Sequence, residues 1–129
     1  MRVCVFQRKI YEKSINRNII VCLPTGTGKT LIAINLIKNK LHQTFGPFPS
    51  QAKRTVFLCP TRELVDQQYV CIAKQVKPAT VCCLHGEKRV DFCTMEQWNN
   101  YFQNNQIIVL TPQVLVGMCF YEVKSLLIN

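Results

Sequence analysis

A glycine loop between an apolar run and an amphipathic segment constrains this fold more than any other feature. The stretch "NIIVCLPTGTGKTLIAINLIK" starts apolar, passes through two glycines and ends in a helix-like run. A strand, a glycine-rich loop and a helix in that order are the context of a phosphate-binding loop. Gly26 and Gly28 let the backbone approach a phosphate without a Cβ in the way, and N–H groups at a helix N-terminus attract the anion. The stretch therefore predicts an α/β fold with a nucleotide site.

The same loop supplies a cation and a hydroxyl. The Lys29 ammonium can bridge the β- and γ-phosphates of a nucleotide, and the Thr30 hydroxyl can ligate Mg²⁺. We therefore predict a site for ATP and Mg²⁺, with Thr30 as the metal ligand. The predicted nucleotide contacts in the loop are Leu23, Pro24, Thr25, Gly26, Thr27, Gly28, Lys29 and Thr30.

Short apolar runs alternate with helix-like segments along the whole chain. Predicted strands cover 18–23, 55–59, 80–84, 106–110 and 125–128, and predicted helices cover about 6–16, 28–41, 61–75, 94–104 and 112–119. Strands this short and apolar are typical of strands buried on both faces. Alternation of the two types favours a parallel sheet with helices on both faces. A loop is predicted at 42–53, and no second domain is visible in residues 1–129.

Composition limits the class of protein and its partners. The hydrophobic fraction of 48% is enough for a core, so we do not expect a disordered chain. A formal net charge of +9 favours a polyanionic partner such as nucleic acid. The alternative is that other parts of a longer protein offset this charge. No run is apolar and long enough for a membrane span or a signal peptide, so we expect a cytoplasmic protein.

Eight cysteines are many for 129 residues, but their spacing predicts no metal site or disulfide framework. No Cys-x-x-Cys pair occurs, and the two histidines have no zinc-like spacing to the cysteines. Four cysteines lie in apolar runs that are predicted strands, where a thiol behaves as a small hydrophobe. These are Cys22, Cys59, Cys82 and Cys83. We expect buried, reduced and inert thiols.

Two further predicted strands end in a threonine–proline junction with a helix. In "FLCPTRELVDQQ" Thr61 can cap the helix that follows, and in "IIVLTPQVL" Thr111 can do the same. A helix N-terminus of this kind can accept a backbone phosphate. In an open α/β sheet, ligands gather at the carboxyl ends of the strands. In a separate segment, Thr94 and Gln97 fit a capping box, and Trp98 is expected to pack inward.

These motifs in this order resemble the first RecA-like domain of a superfamily 2 RNA helicase. Leu23 stands where the strict loop pattern has glycine, as it commonly does in that superfamily. The stretch "VFQRKIYE" resembles the Q motif, which implies that Gln7 reads the adenine edge. The stretches around Thr61 and Thr111 resemble motifs that grip a nucleic-acid backbone. The resemblance implies the following RNA contacts: Pro60, Thr61, Arg62, Gln67, Thr111 and Pro112.

The stretch "GEKRVDFCTMEQWNNYFQNNQIIVLTPQVLV" resembles the helicase of Dicer-family ribonucleases, whereas "PTREL" resembles the DEAD-box form. The resemblance implies an ATP-dependent helicase that acts on double-stranded RNA in RNA interference. It also implies a second RecA-like domain and ribonuclease III domains elsewhere in the intact protein. Two alternatives remain open. One is another superfamily 2 helicase of RNA or DNA, including the innate-immune RNA sensors. The other is a non-enzymatic nucleotide-binding fragment.

The helicase resemblance implies a motif II, Asp-Glu-x-His, directly after an apolar strand. None of the seven acidic residues follows such a run. The stretch 125–128 looks like the start of that strand, so we expect residues 1–129 to be a partial ATP-binding domain. It would lack the catalytic carboxylates, and we expect no ATP hydrolysis by this chain alone.

Overall fold

The computed structural model describes residues 4–86 and 94–119. The chain divides into two compact units, Met1–His42 and Gln43–Asn129. The first unit contains α1 (Val5–Asn16) and α2 (Lys29–Lys40), and a 3₁₀ turn at Leu41–Thr44 follows. The second unit contains these elements in chain order: β1 (Thr55–Leu58), α3 (Arg62–Gln75), β2 (Val81–Leu84), α4 (Met95–Asn104) and β3 (Ile107–Leu110). A further helical segment covers 112–119.

In the first unit, α1 and α2 pack against each other. Helix α2 buries Ile32, Ile34 and Ile37, and the Ile34 side chain is fully enclosed. A fully buried isoleucine contributes about 1.5–3 kcal/mol relative to an exposed one. This burial stabilises the helix that the predicted phosphate loop enters. Both helices begin within one residue of their predicted starts.

The predicted strand at 18–23 is wrong, because residues 18–24 have no regular secondary structure. Ile20 is 94% exposed, and Cys22 is exposed, so the expected burial of that thiol is wrong as well. A strand exists only through hydrogen bonds to a neighbouring strand. The other described elements of this unit are helical, so the apolar run has no ladder to join there.

The second unit is built on a parallel sheet with the strand order β1-β3-β2. Thr55 pairs with Ile107, and Val81 pairs with Ile107 from the other side. The strands predicted at 55–59, 80–84 and 106–110 are confirmed, and the one predicted at 125–128 lies outside the described residues. All four β3 residues are buried, because this strand has a neighbour on each edge and helices over its faces.

The two faces of the sheet have different helices over them. On one face, Ile108 and Leu110 form a cluster with Leu84, Trp98 and Val114. Trp98 is 3% exposed, which confirms its predicted inward packing.

Side chains of a strand alternate between faces, so Ile107 and Val109 point to the opposite face, and both are completely buried. Helix α3 contacts β2 and β3, and the Cys83 thiol on this second face lies 3.9 Å from the Asp66 carboxylate of α3. The predicted parallel sheet with helices on both faces is therefore confirmed within this unit.

Arg54 organises the loop that was predicted at 42–53. Its Nε donates to the Phe102 carbonyl at 2.6 Å, and its Nη1 donates to the Thr44 carbonyl at 2.7 Å. The guanidinium also lies 4.6 Å from the centre of the Phe48 ring, which stacks on Phe102. Burial lowers the pKa of Arg54 from its usual value. Arg54 therefore helps to hold the loop against α4, together with the ring stack and a bond from Gln103 Nε2 to the Phe48 carbonyl at 2.8 Å.

The expectations for the cysteines and for membrane spans can be compared with the described residues. The seven cysteines there are free thiols, of which Cys59 and Cys83 are buried and Cys82 is partly buried. Burial raises the pKa of the Cys59 thiol. Within 4–86 and 94–119, no helix is long and apolar enough to cross a membrane.

Candidate nucleotide-binding loop and nucleic-acid interface

The predicted phosphate loop has two glycines in the left-handed region. The φ angles of Gly26 and Gly28 are +81° and +87°, values that an L-residue with a Cβ rarely adopts. Gly28 is the N-cap of α2, and its carbonyl accepts the Ile32 N–H at 3.1 Å. The chain thus turns sharply into the helix, whose first-turn N–H groups have no partner within the helix.

Gln7 is packed against this loop. Its side chain is 8% exposed, its Nε2 donates to the Thr27 carbonyl at 2.7 Å, and its Oε1 accepts the Cys4 N–H at 3.0 Å. A Cβ placed on Gly28 would overlap Nε2 of Gln7. Sequence reasoning assigned Gln7 to adenine and missed this contact, whose only sequence signal is the absence of a side chain at Gly28.

The loop also closes on itself through its polar side chains. Lys29 Nζ donates to the Leu23 carbonyl at 2.9 Å, and Thr27 Oγ1 donates to the Pro24 carbonyl at 2.6 Å. A Cβ on Gly26 would meet no heavy atom within 4 Å, so space for a ligand is open at this glycine.

The loop residues fit a nucleoside triphosphate. They offer an ammonium, a helix N-terminus and backbone that can approach phosphate closely. Thr30 lies in the first turn of α2 and is half-buried. In the described residues no group of three or more histidines, cysteines, aspartates or glutamates could hold a metal ion.

In the second unit, a cleft of about 380 Å³ lies at the carboxyl ends of the strands. Its lining residues are Pro60, Thr61, Arg62, Glu63, Gly86, Thr111 and Gln113. Thr61 is the N-cap of α3, and its Oγ1 accepts the Leu64 N–H at 3.3 Å. The ends of β1 and β3 are joined here, because the Cys59 N–H donates to the Leu110 carbonyl at 3.0 Å.

The structure brings together four of the six residues predicted to contact RNA. Pro60, Thr61, Arg62 and Thr111 line the cleft. Gln67, which lies further along α3, and Pro112 are both exposed and do not line it.

Sequence reasoning missed three lining residues of this cleft, namely Glu63, Gly86 and Gln113. Gly86 could have been found, because it follows the end of β2, and the carboxyl ends of parallel strands share one edge of a sheet.

The charges around the cleft are mixed. Arg62 and Glu63 occupy the first turn of α3, where the helix end carries a partial positive charge. Thr111 is 5% exposed, so it contributes to the wall of the cleft more than to its open surface. The cleft can therefore bind an anion at Arg62 and accept hydrogen bonds at Glu63.

Comparison with known proteins places the chain in a family. Residues 5–128 match the DEAD/DEAH box helicase family. The chain is 34% identical to endoribonuclease Dicer-S of Xenopus laevis over 88% of its own length. It is also 34% identical to Dicer-like protein 2 of Pyricularia oryzae over 85% of its length. The chain spans only 6% and 7% of these two relatives.

Solved structures give the same fold. The helicase domain of Hef from Pyrococcus furiosus matches 86% of the chain with a TM-score of 0.67 and 29% identity, and the chain covers 21% of that protein. A nuclease-deletion mutant of the Type ISP restriction-modification enzyme LlaGI, in complex with a DNA substrate mimic, matches 96% with a TM-score of 0.62. Its 13% identity supports the fold alone, and the chain covers 14% of it.

The predicted RecA-like fold and the predicted helicase resemblance are both confirmed by these matches. Members of the family in general use ATP and Mg²⁺, as the loop at Lys29 suggests. The chain therefore belongs to the DEAD/DEAH box helicase family.

Proposed function

We propose that residues 1–129 are part of the ATP-binding RecA-like domain of a Dicer-type RNA helicase. The observation that carries the proposal is the loop from Leu23 to Thr30. It combines two left-handed glycines, a lysine on a loop carbonyl and a helix N-terminus. The similarity to Dicer proteins over most of the chain favours double-stranded RNA as the second ligand.

At the nucleotide site, the backbone around Gly26 and Gly28 would surround the phosphates. Lys29 would exchange the Leu23 carbonyl for phosphate oxygens, and the Thr30 hydroxyl would ligate Mg²⁺. A primary carboxamide has two N–H donors and a two-lone-pair oxygen. Gln7 uses one donor on Thr27, so it retains capacity to bond the adenine edge. Bound ATP supplies the phosphoanhydride bond that a complete helicase hydrolyses.

At the second site, the start of α3 would bind the RNA backbone. Thr61 fixes the first turn, Arg62 supplies a cation that can bond a phosphate in two places, and Thr111 is a further lining residue. Gln67 and Pro112 would contact RNA only outside the cleft. The net charge of +9 supports a polyanionic ligand.

The proposal extends to the intact protein. The chain spans 6–8% of its Dicer relatives, so other domains would complete the enzyme. We expect a second RecA-like domain and ribonuclease III domains in cis, and motif II carboxylates for hydrolysis. A cytoplasmic location fits the free thiols, because disulfides are rare in that compartment.

The nucleotide site is tested by titrating the chain with a fluorescent ATP analogue in the presence and absence of Mg²⁺. We expect Mg²⁺-assisted binding that Lys29→Ala abolishes, because this ammonium is the loop's phosphate-binding cation. The matched control is Lys38→Ala, which removes an exposed lysine from the last turn of the same helix. Equal binding by the Lys29 and Lys38 variants would contradict the proposal.

The nucleic-acid site is tested by fluorescence anisotropy with labelled duplex RNA and duplex DNA of one sequence. We expect Arg62→Ala to weaken RNA binding and to reduce the slope of log K against log salt by about 1. Lys74→Ala, at the exposed far end of α3, is the matched control, with a smaller effect on affinity. Tighter binding of DNA than of RNA would instead favour a DNA helicase.

A further inference from the structure

A buried histidine and an aspartate connect two elements next to the cleft. His85 directly follows β2 and is 3% exposed. Its Nε2 donates to Oδ1 of Asp66 on α3 at 3.1 Å. The other ring nitrogen, Nδ1, is buried and has no hydrogen-bond partner among the described residues. Asp66 therefore makes the only hydrogen bond that fixes the orientation of the His85 ring within that part of the chain.

The pair connects two elements that contribute lining residues to the cleft. Asp66 is four residues after Arg62 in α3, so the two side chains share one face of the helix. His85 is bonded directly to Gly86, which lines the cleft, whereas neither Asp66 nor His85 is among the lining residues. The hydrogen bond thus ties the wall that carries Arg62 to the wall that carries Gly86.

We infer that Asp66 and His85 are positioning residues for the nucleic-acid cleft, which they shape without touching the ligand. This inference rests on the proposed RNA site. Breaking the pair frees the end of β2 to move relative to the start of α3, and the width of the cleft is no longer fixed. A phosphate that meets both walls then loses part of its contact.

The direction in which RNA affinity changes on replacing Asp66 distinguishes a positioning role from a purely electrostatic one. Asp66 is an anion close to the cleft, and its side chain is 58% exposed. If only its charge mattered, removing it would strengthen the binding of a polyanion. If it positions His85, Asp66→Ala weakens binding even though an unfavourable charge is gone.

The test is duplex RNA binding by the 129-residue chain, measured by anisotropy for a set of variants. Asp66→Ala is expected to raise Kd about fivefold, as for a coupled site that makes no ligand contact. Asp66→Asn keeps an acceptor for Nε2–H and is expected to bind as tightly as the wild type or more tightly. The charge control is Glu96→Ala on α4, which removes an exposed carboxylate that is not among the cleft's lining residues.

Asp66→Glu is a further variant, which tests the positioning role if Asp66→Ala fails to fold. It keeps the charge but moves the carboxylate by one methylene, so binding is expected to weaken. The inference is overturned if Asp66→Ala and Asp66→Glu both bind RNA as tightly as the wild type or more tightly. If only one of the two variants folds, the same result for that variant overturns it. If Arg62→Ala weakens binding at the same time, the proposed RNA site survives that result. An absence of RNA binding by the wild type overturns the proposed site and the inference together.

Discussion

Gly28 lacks a side chain for two independent reasons. Its φ of +87° disfavours any Cβ, and the Gln7 amide occupies the space that a Cβ would need. Gly26 has the first reason only, because open space surrounds it. The two glycines of one motif therefore tolerate substitution differently.

We expect Gly26→Ala to lower the free energy of unfolding by about 1–2 kcal/mol, the cost of a left-handed residue with a Cβ. Gly28→Ala should cost more, because the Gln7 amide must also move. In the double variant Gln7→Ala/Gly28→Ala the overlap is gone. The loss of stability should therefore be smaller than the sum of the losses in the two single variants. Urea denaturation followed by far-UV circular dichroism measures the free energy of unfolding of Gly26→Ala, Gly28→Ala, Gln7→Ala and the double variant. Equal costs for the two single glycine variants would contradict the proposed overlap.

Cys59 offers a prediction on pH dependence. Its thiol is 3% exposed, and burial raises its pKa, so a smaller fraction is thiolate at a given pH. We expect Cys59 to react with iodoacetamide more slowly than the exposed Cys22 and Cys119, and to require a higher pH.

Mass spectrometry of labelled peptides between pH 7 and about 9.5 gives the rates for this comparison. The difference in reaction rate between Cys59 and the two exposed cysteines should disappear in denaturant. Equal rates for Cys59 and Cys22 in the folded chain would show that Cys59 is accessible.

At this scale, sequence reasoning succeeded where the chemistry is local. The caps at Thr61 and Thr94 and the inward Trp98 follow from residues a few positions apart. The contacts of Gln7 with Thr27 and of His85 with Asp66 span 20 and 19 residues. No spacing rule connects such pairs, because the fold alone brings them together.

At the scale of elements, two apolar runs of similar composition have different structures. The run 107–110 is a fully buried strand, whereas the run 18–23 forms no strand. The first has a neighbour on each edge, and the second has none among the described residues of its own unit, whose regular elements are helical. Sequence patterns predict which segments can be strands, but pairing decides which of them are.

Arg54 links the loop before β1 to α4 and should be sensitive to substitution. We expect Arg54→Ala to lower the free energy of unfolding by about 2 kcal/mol, since the Phe102, Thr44 and Lys53 carbonyls lose a charged donor and Phe48 loses its cation contact. Arg54→Lys should recover only part of this, because an ammonium cannot reproduce the planar fork of donors.

Denaturation followed by the fluorescence of Trp98, the single tryptophan, measures the effect. The exposed neighbour Lys53 is the control, and its alanine variant should change stability by less than about 0.5 kcal/mol. A similar change for both residues would mean that Arg54 holds the loop against α4 no more than an exposed side chain does.

At the scale of the whole molecule, β1 leaves apolar side chains in solvent. Val56 and Leu58 are 39% and 47% exposed, and β1 pairs only with β3 in the described residues. Unpaired strand edges with apolar neighbours promote association. We expect Val56→Thr/Leu58→Thr to reduce self-association of the chain at little cost in stability. Sedimentation velocity at several concentrations measures the effect, with Val116→Thr, at an exposed residue of the helical segment 112–119, as the control.

β3 lies between β1 and β2 although it follows both of them in the chain. In the described residues β1 and β2 share no ladder, so neither has a partner until β3 has been made. During synthesis on the ribosome, β1 and β2 therefore stay unpaired until β3 has been synthesised, while the helices beside them can already form. Translation speed between β2 and β3 thus sets how long these strands are exposed to chaperones and to other nascent chains.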